Sequence, residues 1–170
     1  FWRPDDEFYL ALKNNQLHRN FQGYCTTKST GQVYGFGASS ISQLFSAYSQ
    51  NVKNAAQYIK KINDNNTAVL RGYSLNRNEK IIRDVINSIM CNYYVDFYEI
   101  AEKFETNPYK IEDIVAFENE KFEDFVNLNF MKIENHRITI SENARLYIRN
   151  IAMKFDPLLN KKIGTYSKTI

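Results

Sequence analysis

The apolar positions that follow residue 78 constrain the fold of this chain most strongly. They recur at the spacing of one face of an α-helix: Ile81, Ile82, Val85, Ile86, Ile89 and Met90. Asn78 precedes them and belongs to a residue type that caps helix N-termini. The pattern predicts a helix that begins at Asn78 and buries one face in a core.

The remainder of the second half predicts three more helices and one hairpin. Asp96 is expected to cap a short helix, and Ser141 to cap a last helix that Pro157 ends. Apolar and polar residues alternate on both sides of Asn135 and His136, which predicts a β-hairpin with His136 in its turn. Three helices, a hairpin and a final helix form a winged-helix-like order, which many unrelated functions share. The apolar positions assigned to these elements are Phe97, Ile100, Ala101, Phe104, Ile111, Ile114, Val115, Phe122, Phe125, Val126, Met131, Ile133, Ile138, Ile140, Ala144, Tyr147, Ile148, Ile151, Ala152 and Phe155.

The first half is interpreted from its proline, its glycines and its polar runs, which mark where elements begin and end. Pro4 and the three acids that follow it favour a helix start, and this short helix is expected to end near Asn14. Glycines delimit a predicted short strand over residues 32–36. A helical stretch is expected after Gly37, and the polar run 63–67 ends it and is the expected domain boundary. The apolar face of that stretch consists of Val52, Ala55, Ile59 and Ile62.

Composition excludes several classes of protein. The 170 residues are 44% hydrophobic and 15% aromatic, which suffices for a core and excludes intrinsic disorder. No apolar run approaches the roughly 18–20 residues of a bilayer-spanning helix, and the first residues lack the composition of a signal peptide. The first residue is Phe1 rather than Met, so the chain is expected to be processed, truncated or partly observed.

The cysteines and histidines favour neither a disulfide framework nor a metal centre. Cys25 and Cys91 lie far apart in the sequence and fit no metal-binding motif. The chain has two histidines, His18 and His136, whereas a zinc site needs three or four ligands. Both cysteines are predicted to be ordinary thiols in a reducing compartment, so the expected location is the cytoplasm.

The distribution of charge argues against nucleic-acid binding. The net charge is +3, but residues 107–126 contain six acids and two lysines, a local charge of −4 that repels phosphates. Residues 131–170 carry eight basic and three acidic residues, which is typical of a solvated surface. A site for a polycarboxylate substrate is the other interpretation of this basic stretch.

Two segments of the first half are candidate binding elements. Residues 35–40, with Gly35 and Gly37, can form a backbone nest ahead of a helix N-terminus, suited to a phosphate, carboxylate or nucleotide. Ser40 stands where a dinucleotide fingerprint has its third glycine. The alternative is a strand end that needs the backbone freedom of glycine.

The second candidate segment is residues 18–24. Phe21 or Tyr24 can stack on a base or a macrocycle, and Gln22 can form a hydrogen bond to it. The alternative is an ordinary loop with one buried ring. His18 is a candidate proton donor or ligand contact, although a solvated loop histidine is the simpler interpretation. The sequence presents no Ser-His-Asp or Cys-His arrangement.

Several strings resemble one known family, the oxygen-independent coproporphyrinogen III oxidases (HemN). The resemblance covers nearly the whole chain in order, and Asn-Phe-Gln-Gly-Tyr at residues 20–24 is its most specific part. One departure occurs there, because Cys25 separates Tyr24 from a threonine pair that directly follows that tyrosine in the family. The strings are residues 3–7, 17–24, 35–37, 40–42, 48–51, 71–72, 83–86, 91–92, 149–156 and 167–170.

The resemblance implies an α+β, mainly helical fold. Residues 1–66 would be the end of a TIM-like radical SAM barrel, and residues 67–170 a helical, winged-helix-like C-terminal domain with a small β-hairpin. The family's cofactors are S-adenosylmethionine and a [4Fe–4S] cluster, which is held by a Cys-x3-Cys-x2-Cys motif that this sequence lacks. The implied catalytic and metal ligands therefore lie outside this chain.

The implied activity is oxidative decarboxylation of two propionates of coproporphyrinogen III to vinyl groups, which gives protoporphyrinogen IX in heme biosynthesis. The implied partners are this porphyrinogen and an electron donor for the cluster. A monomer without a nucleic-acid or membrane partner is expected. The alternatives are a related radical SAM heme chaperone or heme-degrading enzyme, and a stand-alone winged-helix binding module.

The resemblance also implies particular site residues. Phe21, Gln22 and Ile41 match family positions that contact S-adenosylmethionine, in particular a second bound molecule, and Gly35 and Gly37 are expected to permit close backbone approach there. Carboxylate contacts are a further possibility for the arginines, for which surface ion pairing is the simpler role. These arginines are Arg19, Arg71 and Arg83.

Overall fold

The chain forms two compact α+β units in the computed structural model, Phe1–Lys80 and Ile81–Ile170, here called the N-terminal unit and the C-terminal unit. The structure describes residues 3–26, 28–29, 31–157 and 159. The sequence features noted at Phe1 and at residues 167–170 lie outside these residues. No helix within the described part of the chain is long and apolar enough to cross a membrane.

Short strands dominate the N-terminal unit. The strands β1 and β2 form an antiparallel hairpin, and β3, β4 and β5 form an antiparallel sheet in that order. The elements are α1 (Glu7–Lys13), β1 (Leu17–Asn20), β2 (Gly23–Thr26), β3 (Ile41–Gln43), β4 (Ala47–Asn51), α2 (Ala55–Asn65) and β5 (Val69–Ser74).

The expectations for residues 32–51 were wrong in two places. The predicted strand over residues 32–36 is reduced to one bridge, between Val33 and Gln43. The predicted helical stretch after Gly37 is instead the β3–β4 hairpin, and the helix begins only at Ala55, after its cap Asn54. Backbone pairing with β5 holds residues 47–51 in extended conformation, and that pairing is not visible in local periodicity.

Much of the apolar surface of the N-terminal unit is exposed. The helix α2 has no buried residue, and all six residues of β5 are exposed. Ile59 on α2 and Leu70 on β5 each have more than half of their surface accessible, at 59% and 57%. The buried apolar residues described in this unit are Ala11, Leu17, Val33, Val52 and Ala68.

The C-terminal unit is mainly helical and contains one antiparallel sheet of order β6-β8-β7. The predicted hairpin is confirmed, and β6, which the sequence did not reveal, adds its third strand. The elements are α3 (Arg77–Asn92), which begins before the division between the units, β6 (Tyr94–Asp96), α4 (Phe97–Lys103), α5 (Pro108–Ile114), a 3₁₀ turn (Asn119–Phe122), α6 (Glu123–Asn127), β7 (Met131–Glu134), β8 (Arg137–Ile140), a 3₁₀ helix (Glu142–Tyr147) and α7 (Ile148–Met153).

Three residues of this half were predicted to cap helices, and the outcomes differ. They are Asp96, Asn78 and Ser141. Asp96 caps α4 as predicted, because its carboxylate accepts a hydrogen bond from Tyr98 N at 2.8 Å. The α3 cap is Asn76 rather than Asn78: its Oδ1 accepts from Glu79 N at 3.0 Å, and Glu79 Oε2 accepts from Asn76 N at 2.9 Å. This reciprocal pair is a capping box, which satisfies two backbone donors at once.

Ser141 does not act as the predicted cap. It precedes a 3₁₀ helix, and its Oγ is buried without a hydrogen-bond partner in the described part of the chain. Similarly, the predicted third helix breaks into α5, a 3₁₀ turn and α6. The break brings Phe122 into the core with no measurable exposure.

The turn of the β7–β8 hairpin is held firmly against two helices. Asn135 and His136 both adopt positive φ angles, 47° and 63°, as a tight two-residue hairpin turn requires. His136 Nδ1 lies 2.8 Å from Glu112 Oε1 on α5, and its carbonyl accepts a hydrogen bond from Phe97 N on α4. His136 is therefore a turn residue, as predicted, and its ring also anchors the turn.

One hydrophobic core stabilises the C-terminal unit. It contains the inward positions predicted for α3, α4 and the hairpin, and its largest fully buried side chains include Phe97, Phe122 and Phe155. The rings of Phe117, Phe122 and Phe155 contact one another, with centroids 4.7–5.9 Å apart. This cluster joins the last helical segment to the acidic stretch of residues 107–126.

Candidate functional site

The turn between β1 and β2 presents the aromatic and amide side chains that the sequence singled out. The strands pair up to Asn20 and Gly23, which leaves Phe21 and Gln22 as the turn residues. Asn20 Oδ1 accepts hydrogen bonds from Gln22 N at 2.9 Å and from Gly23 N at 3.2 Å. An asparagine that bonds to the backbone two residues later is a common way to close a turn. Both turn side chains are consequently exposed.

A glutamine on β3 forms a hydrogen bond to this turn. Gln43 Oε1 accepts a hydrogen bond from Phe21 N at 3.1 Å. Ile41 lies two residues before Gln43 on the same strand and is 40% exposed, while Phe21 is 51% exposed. The hydrogen bond thus links the Phe21 turn to the strand that carries Ile41, about twenty positions later in the sequence.

The two glycines near β3 are required for different reasons. A Cβ atom at Gly35 would lie 2.6 Å from the carbonyl oxygen of Ile41, so only glycine permits this approach of the backbone to β3. Gly35 N also donates to Ser42 Oγ at 3.0 Å. Gly37 has a φ of +96°, which favours glycine, yet a Cβ there would meet nothing within 4 Å. Gly35 therefore serves the chain's own packing, and Gly37 borders open space.

Of the two interpretations of residues 35–40, the nest ahead of a helix N-terminus was wrong. Residues 35–40 lead into β3 and not into a helix, so no helix dipole points at them. The segment instead forms a loop, here called the glycine loop (residues 35–41), that carries Phe36 with 88% of its surface exposed. Phe36 was given no role from the sequence, although an aromatic residue between two glycines was a visible signal.

Asn51 and Gln43 are the residues of this region that sequence reasoning missed. Asn51 Nδ2 donates to Gly37 O at 3.1 Å and to Ser40 Oγ at 3.0 Å, while Gln43 fixes the Phe21 turn. Local sequence contains no signal for either role, because each acts on a segment distant in the chain.

The three candidate arginines all have local contacts. The guanidinium of Arg19 lies 5.7 Å from the centre of the Tyr24 ring. Arg71 donates to Gln50 Oε1 on the neighbouring strand at 3.0 and 2.6 Å. Arg83 lies 3.8 Å from Asp84. These contacts support structural roles for the arginines.

The side chains of Phe21, Gln22 and Ile41 suit a ligand that consists of a nucleoside and a sulfonium amino acid. They do not suit an iron–sulfur cluster. An exposed aromatic face, an amide and an apolar side chain suit an adenosyl or methionyl group, and Phe21, Gln22 and Ile41 supply them. A cluster held by three cysteines needs more thiols than the two in this chain. No group of three or more His, Cys, Asp or Glu side chains among the described residues is arranged to hold a metal ion.

Comparisons with known proteins converge on one group. Oxygen-independent coproporphyrinogen III oxidase from Escherichia coli is 35% identical over 162 residues, which is 95% of this chain and 35% of that protein. The Helicobacter pylori enzyme of the same name is 32% identical over the whole chain and 36% of its own length. The Thermostichus vulcanus protein is 33% identical, with 52% of its length covered. No family model matches the chain.

The fold shows the same relationship. A solved structure described as coproporphyrinogen III oxidase (HemN) from Escherichia coli, a radical SAM enzyme, matches 91% of this chain and 35% of that one with a TM-score of 0.80 and 35% identity. Fold and sequence therefore agree on the same relatives, among which the matched Escherichia coli structure is a radical SAM enzyme. Over nearly its whole length, the chain is similar to the HemN family of oxygen-independent coproporphyrinogen III oxidases. The chain spans about a third of the length of the Escherichia coli relative.

Proposed function

We propose that the whole protein is an oxygen-independent coproporphyrinogen III oxidase. It would convert two propionates of coproporphyrinogen III to vinyl groups and so produce protoporphyrinogen IX. In each conversion the propionate loses CO₂, one hydrogen atom and one electron. The observation that carries the proposal is the 35% identity that extends over 95% of the chain.

The proposed role of this chain is to hold S-adenosylmethionine at the Phe21 turn. Phe21 offers a ring face for stacking, Ile41 an apolar contact, and Gln22 an amide that can donate and accept hydrogen bonds. Gly37 leaves open space for the ligand, because nothing lies within 4 Å of the position of its missing Cβ. S-adenosylmethionine, when bound to radical enzymes, supplies the radical chemistry that removes a hydrogen atom from the propionate. The residues of this chain bind and orient, and the [4Fe–4S] cluster belongs to ligands outside it.

The proposed domain division is the end of a TIM-like barrel at residues 1–66 and a winged-helix-like domain at residues 67–170. The exposed apolar side chains of α2 and β5, among them Ile59 and Leu70, support a first part that packs against further structure in the whole protein. The order of helices, hairpin and final helix supports the second part. The two compact units divide later, between Lys80 and Ile81, so the boundary near residue 66 stays a prediction.

The proposed setting is a cytoplasmic monomer that receives electrons from a separate donor and takes a porphyrinogen as its substrate. We propose no nucleic-acid or membrane partner. The net charge of −4 on residues 107–126 supports the first of these exclusions.

The decisive assay of the proposed function is an anaerobic incubation of the full-length protein with coproporphyrinogen III and S-adenosylmethionine. Production of protoporphyrinogen IX is expected, because only an oxidase forms it. A related heme chaperone or heme-degrading enzyme would leave the porphyrinogen unchanged, and that result would refute the proposal.

Loss of the Phe21 ring is expected to weaken S-adenosylmethionine binding by about tenfold, since stacking on an aromatic ring contributes ~1–3 kcal/mol per base. The measurement is calorimetric titration of full-length Phe21→Ala with S-adenosylmethionine. Phe45→Ala is the matched control, because Phe45 is 59% exposed in the same unit and lies outside the proposed site. Equal weakening by both variants would contradict a specific role for Phe21.

The isolated 170-residue chain is expected to bind no iron after anaerobic reconstitution, because it contains two cysteines rather than the three that the family motif supplies. Iron and sulfide analysis after desalting measures this, with the full-length protein as the positive control. About four irons per chain would show that this chain contains cluster ligands after all.

A further inference from the structure

Asn51, at the end of β4, binds the glycine loop with one side chain. Its Nδ2 donates to Gly37 O at 3.1 Å and to Ser40 Oγ at 3.0 Å, and a longer contact of 3.4 Å reaches Gly35 O. Its backbone N donates to Ser40 O at 3.0 Å. The residue is only partly exposed. One amide group thus connects three positions of the loop to the central strand of the sheet.

The loop needs such support because its backbone is unusual. Gly37 and Ser39 have φ angles of +96° and +63°, and a serine in the left-handed region is conformationally unfavourable. Ser40 Oγ donates to Gly37 O at 2.8 Å, and Gly37 N donates to the Tyr58 hydroxyl at 3.1 Å. Asn51 is the member of this network that contacts both Gly37 and Ser40.

The hydrogen-bond network around Asn51 lies next to two residues of the proposed ligand site, Gly37 and Ile41. Ile41 follows Ser40 in the chain, and its backbone is contacted closely by Gly35 at the other end of the loop. A change in the position of Ser40 therefore moves Ile41, and a change at Gly37 closes or opens the space beside it. A displacement of about 1 Å in such a site is enough to impair binding or catalysis.

We propose that Asn51 is a positioning residue for S-adenosylmethionine: it holds the glycine loop so that Ile41 and Gly37 face the ligand. The inference rests on the proposed function, since it concerns the same site. Asn51 itself need not touch the ligand. Its amide is required specifically, because the Nδ2 group donates to two oxygen acceptors and a carboxylate in its place has no proton to donate.

The test compares full-length variants Asn51→Asp and Asn51→Ala with the wild-type protein. Calorimetric titration with S-adenosylmethionine is expected to show affinity about tenfold weaker at one binding site, which corresponds to the loss of one well-made hydrogen-bonded link. In turnover the KM for S-adenosylmethionine should rise more than kcat falls. Hydrogen exchange at the amides of residues 39–41 should accelerate in the variants without ligand.

Asn54→Ala is the matched control for a merely structural effect. Asn54 caps α2 by accepting a hydrogen bond from Gln57 N at 3.0 Å, so its loss destabilises the same unit, and the described hydrogen bond of its side chain does not involve the glycine loop. It is expected to leave the affinity for S-adenosylmethionine within about twofold of wild type. If Asn51→Ala also keeps wild-type affinity while Phe21→Ala loses it, Asn51 has no positioning role.

A milder variant, Ser40→Ala, serves if the Asn51 variants fail to fold. It removes one acceptor of Asn51 and the Ser40–Gly37 bond, and a threefold or larger weakening of affinity is expected. Unchanged affinity in Ser40→Ala would overturn the inference.

If Phe21→Ala and the Asn51 variants all bind as wild type, the proposed site itself is wrong. If instead wild type makes no protoporphyrinogen yet the variants still differ in affinity, the activity fails and the positioning role stands.

Discussion

Replacement of Phe155 by alanine is expected to lower the free energy of unfolding of the C-terminal unit by about 3–5 kcal/mol. Phe155 has no measurable exposure. Its ring stacks against Phe117 at 5.9 Å and contacts Phe122 at 4.7 Å between centroids. Truncation removes the transfer free energy of the ring and leaves a cavity that these neighbours can fill only in part.

Urea unfolding followed by circular dichroism measures this change. A total stability of about 5–15 kcal/mol is typical of a domain, so Phe155→Ala can unfold the unit at room temperature, and Phe155→Leu then provides a smaller change in the same direction. Leu146→Ala is the control, because Leu146 is 90% exposed and its truncation should change stability by less than about 0.5 kcal/mol. A Phe155 variant that unfolds at the wild-type urea concentration would show that this cluster is not the stabilising core.

Replacement of Asp96 by alanine is expected to cost about 2–3 kcal/mol, because it removes a helix cap and a charged hydrogen-bond acceptor together. Asp96 is 3% exposed. Its carboxylate accepts from Tyr98 N, from Arg137 Nε at 2.9 Å and from the Tyr94 hydroxyl at 3.1 Å. The same side chain therefore holds the start of α4, β6 and β8.

The dependence of the free energy of unfolding on pH, in the acidic range, provides a more specific test of Asp96. Burial raises the pKa of the carboxyl, but hydrogen bonds from Arg137, Tyr98 N and Tyr94 outweigh burial and hold the pKa below its ordinary value. A lowered pKa in the folded state means that this stabilisation is present above the ordinary carboxyl pKa, about 3.9, and is lost as the pH falls through the lowered value. Asp96→Asn keeps a capping oxygen and should make stability less dependent on pH in that range.

Stability measured between about pH 2 and pH 5 distinguishes the outcomes for this variant. Asp113→Asn is the control, because Asp113 is exposed and lies 3.7 Å from Lys110 in a surface ion pair, which contributes little. An acid profile of Asp96→Asn that matches wild type would show that the Arg137 pair does not stabilise the fold.

The neighbouring phenol reports on the same network at high pH. Burial, followed by the charges of Glu99 and Asp96, raises the pKa of Tyr94 to about 12. The Asp96→Asn substitution removes one of these negative charges and should lower that pKa. Absorbance at alkaline pH would show a tyrosine that ionises earlier than in the wild type.

Local sequence predicted those elements whose stabilising groups are near in the chain. The Asp96 cap contacts a backbone group two residues away, and the turn at Asn135 and His136 separates two short alternating runs. The helix α3 follows from the apolar period that starts at Ile81. The Asn78 cap was wrong by two residues because the sequence shows two asparagines there, and the backbone conformation determines which one caps.

The failures lie where partners are distant in the sequence. The stretch after Gly37 was expected to be helical, yet residues 41–43 pair with β4 and residues 47–51 pair with β5 as strands. The third predicted helix breaks, and Phe122 enters a core built by residues from the C-terminal unit. No local pattern encodes such long-range contacts. In these segments tertiary packing, rather than local helix propensity, therefore determines the structure.

For the candidate site, the sequence by itself indicated a resemblance to one family, through the strings around Phe21 and Ile41, and named the residues expected to contact S-adenosylmethionine. Only the tertiary structure decided how those residues meet: Gln43 ties the Phe21 turn to β3, and Asn51 fixes the glycine loop. The reason is physical, since both links contain a hydrogen bond between a side chain and a backbone group that folding alone brings within 3.1 Å.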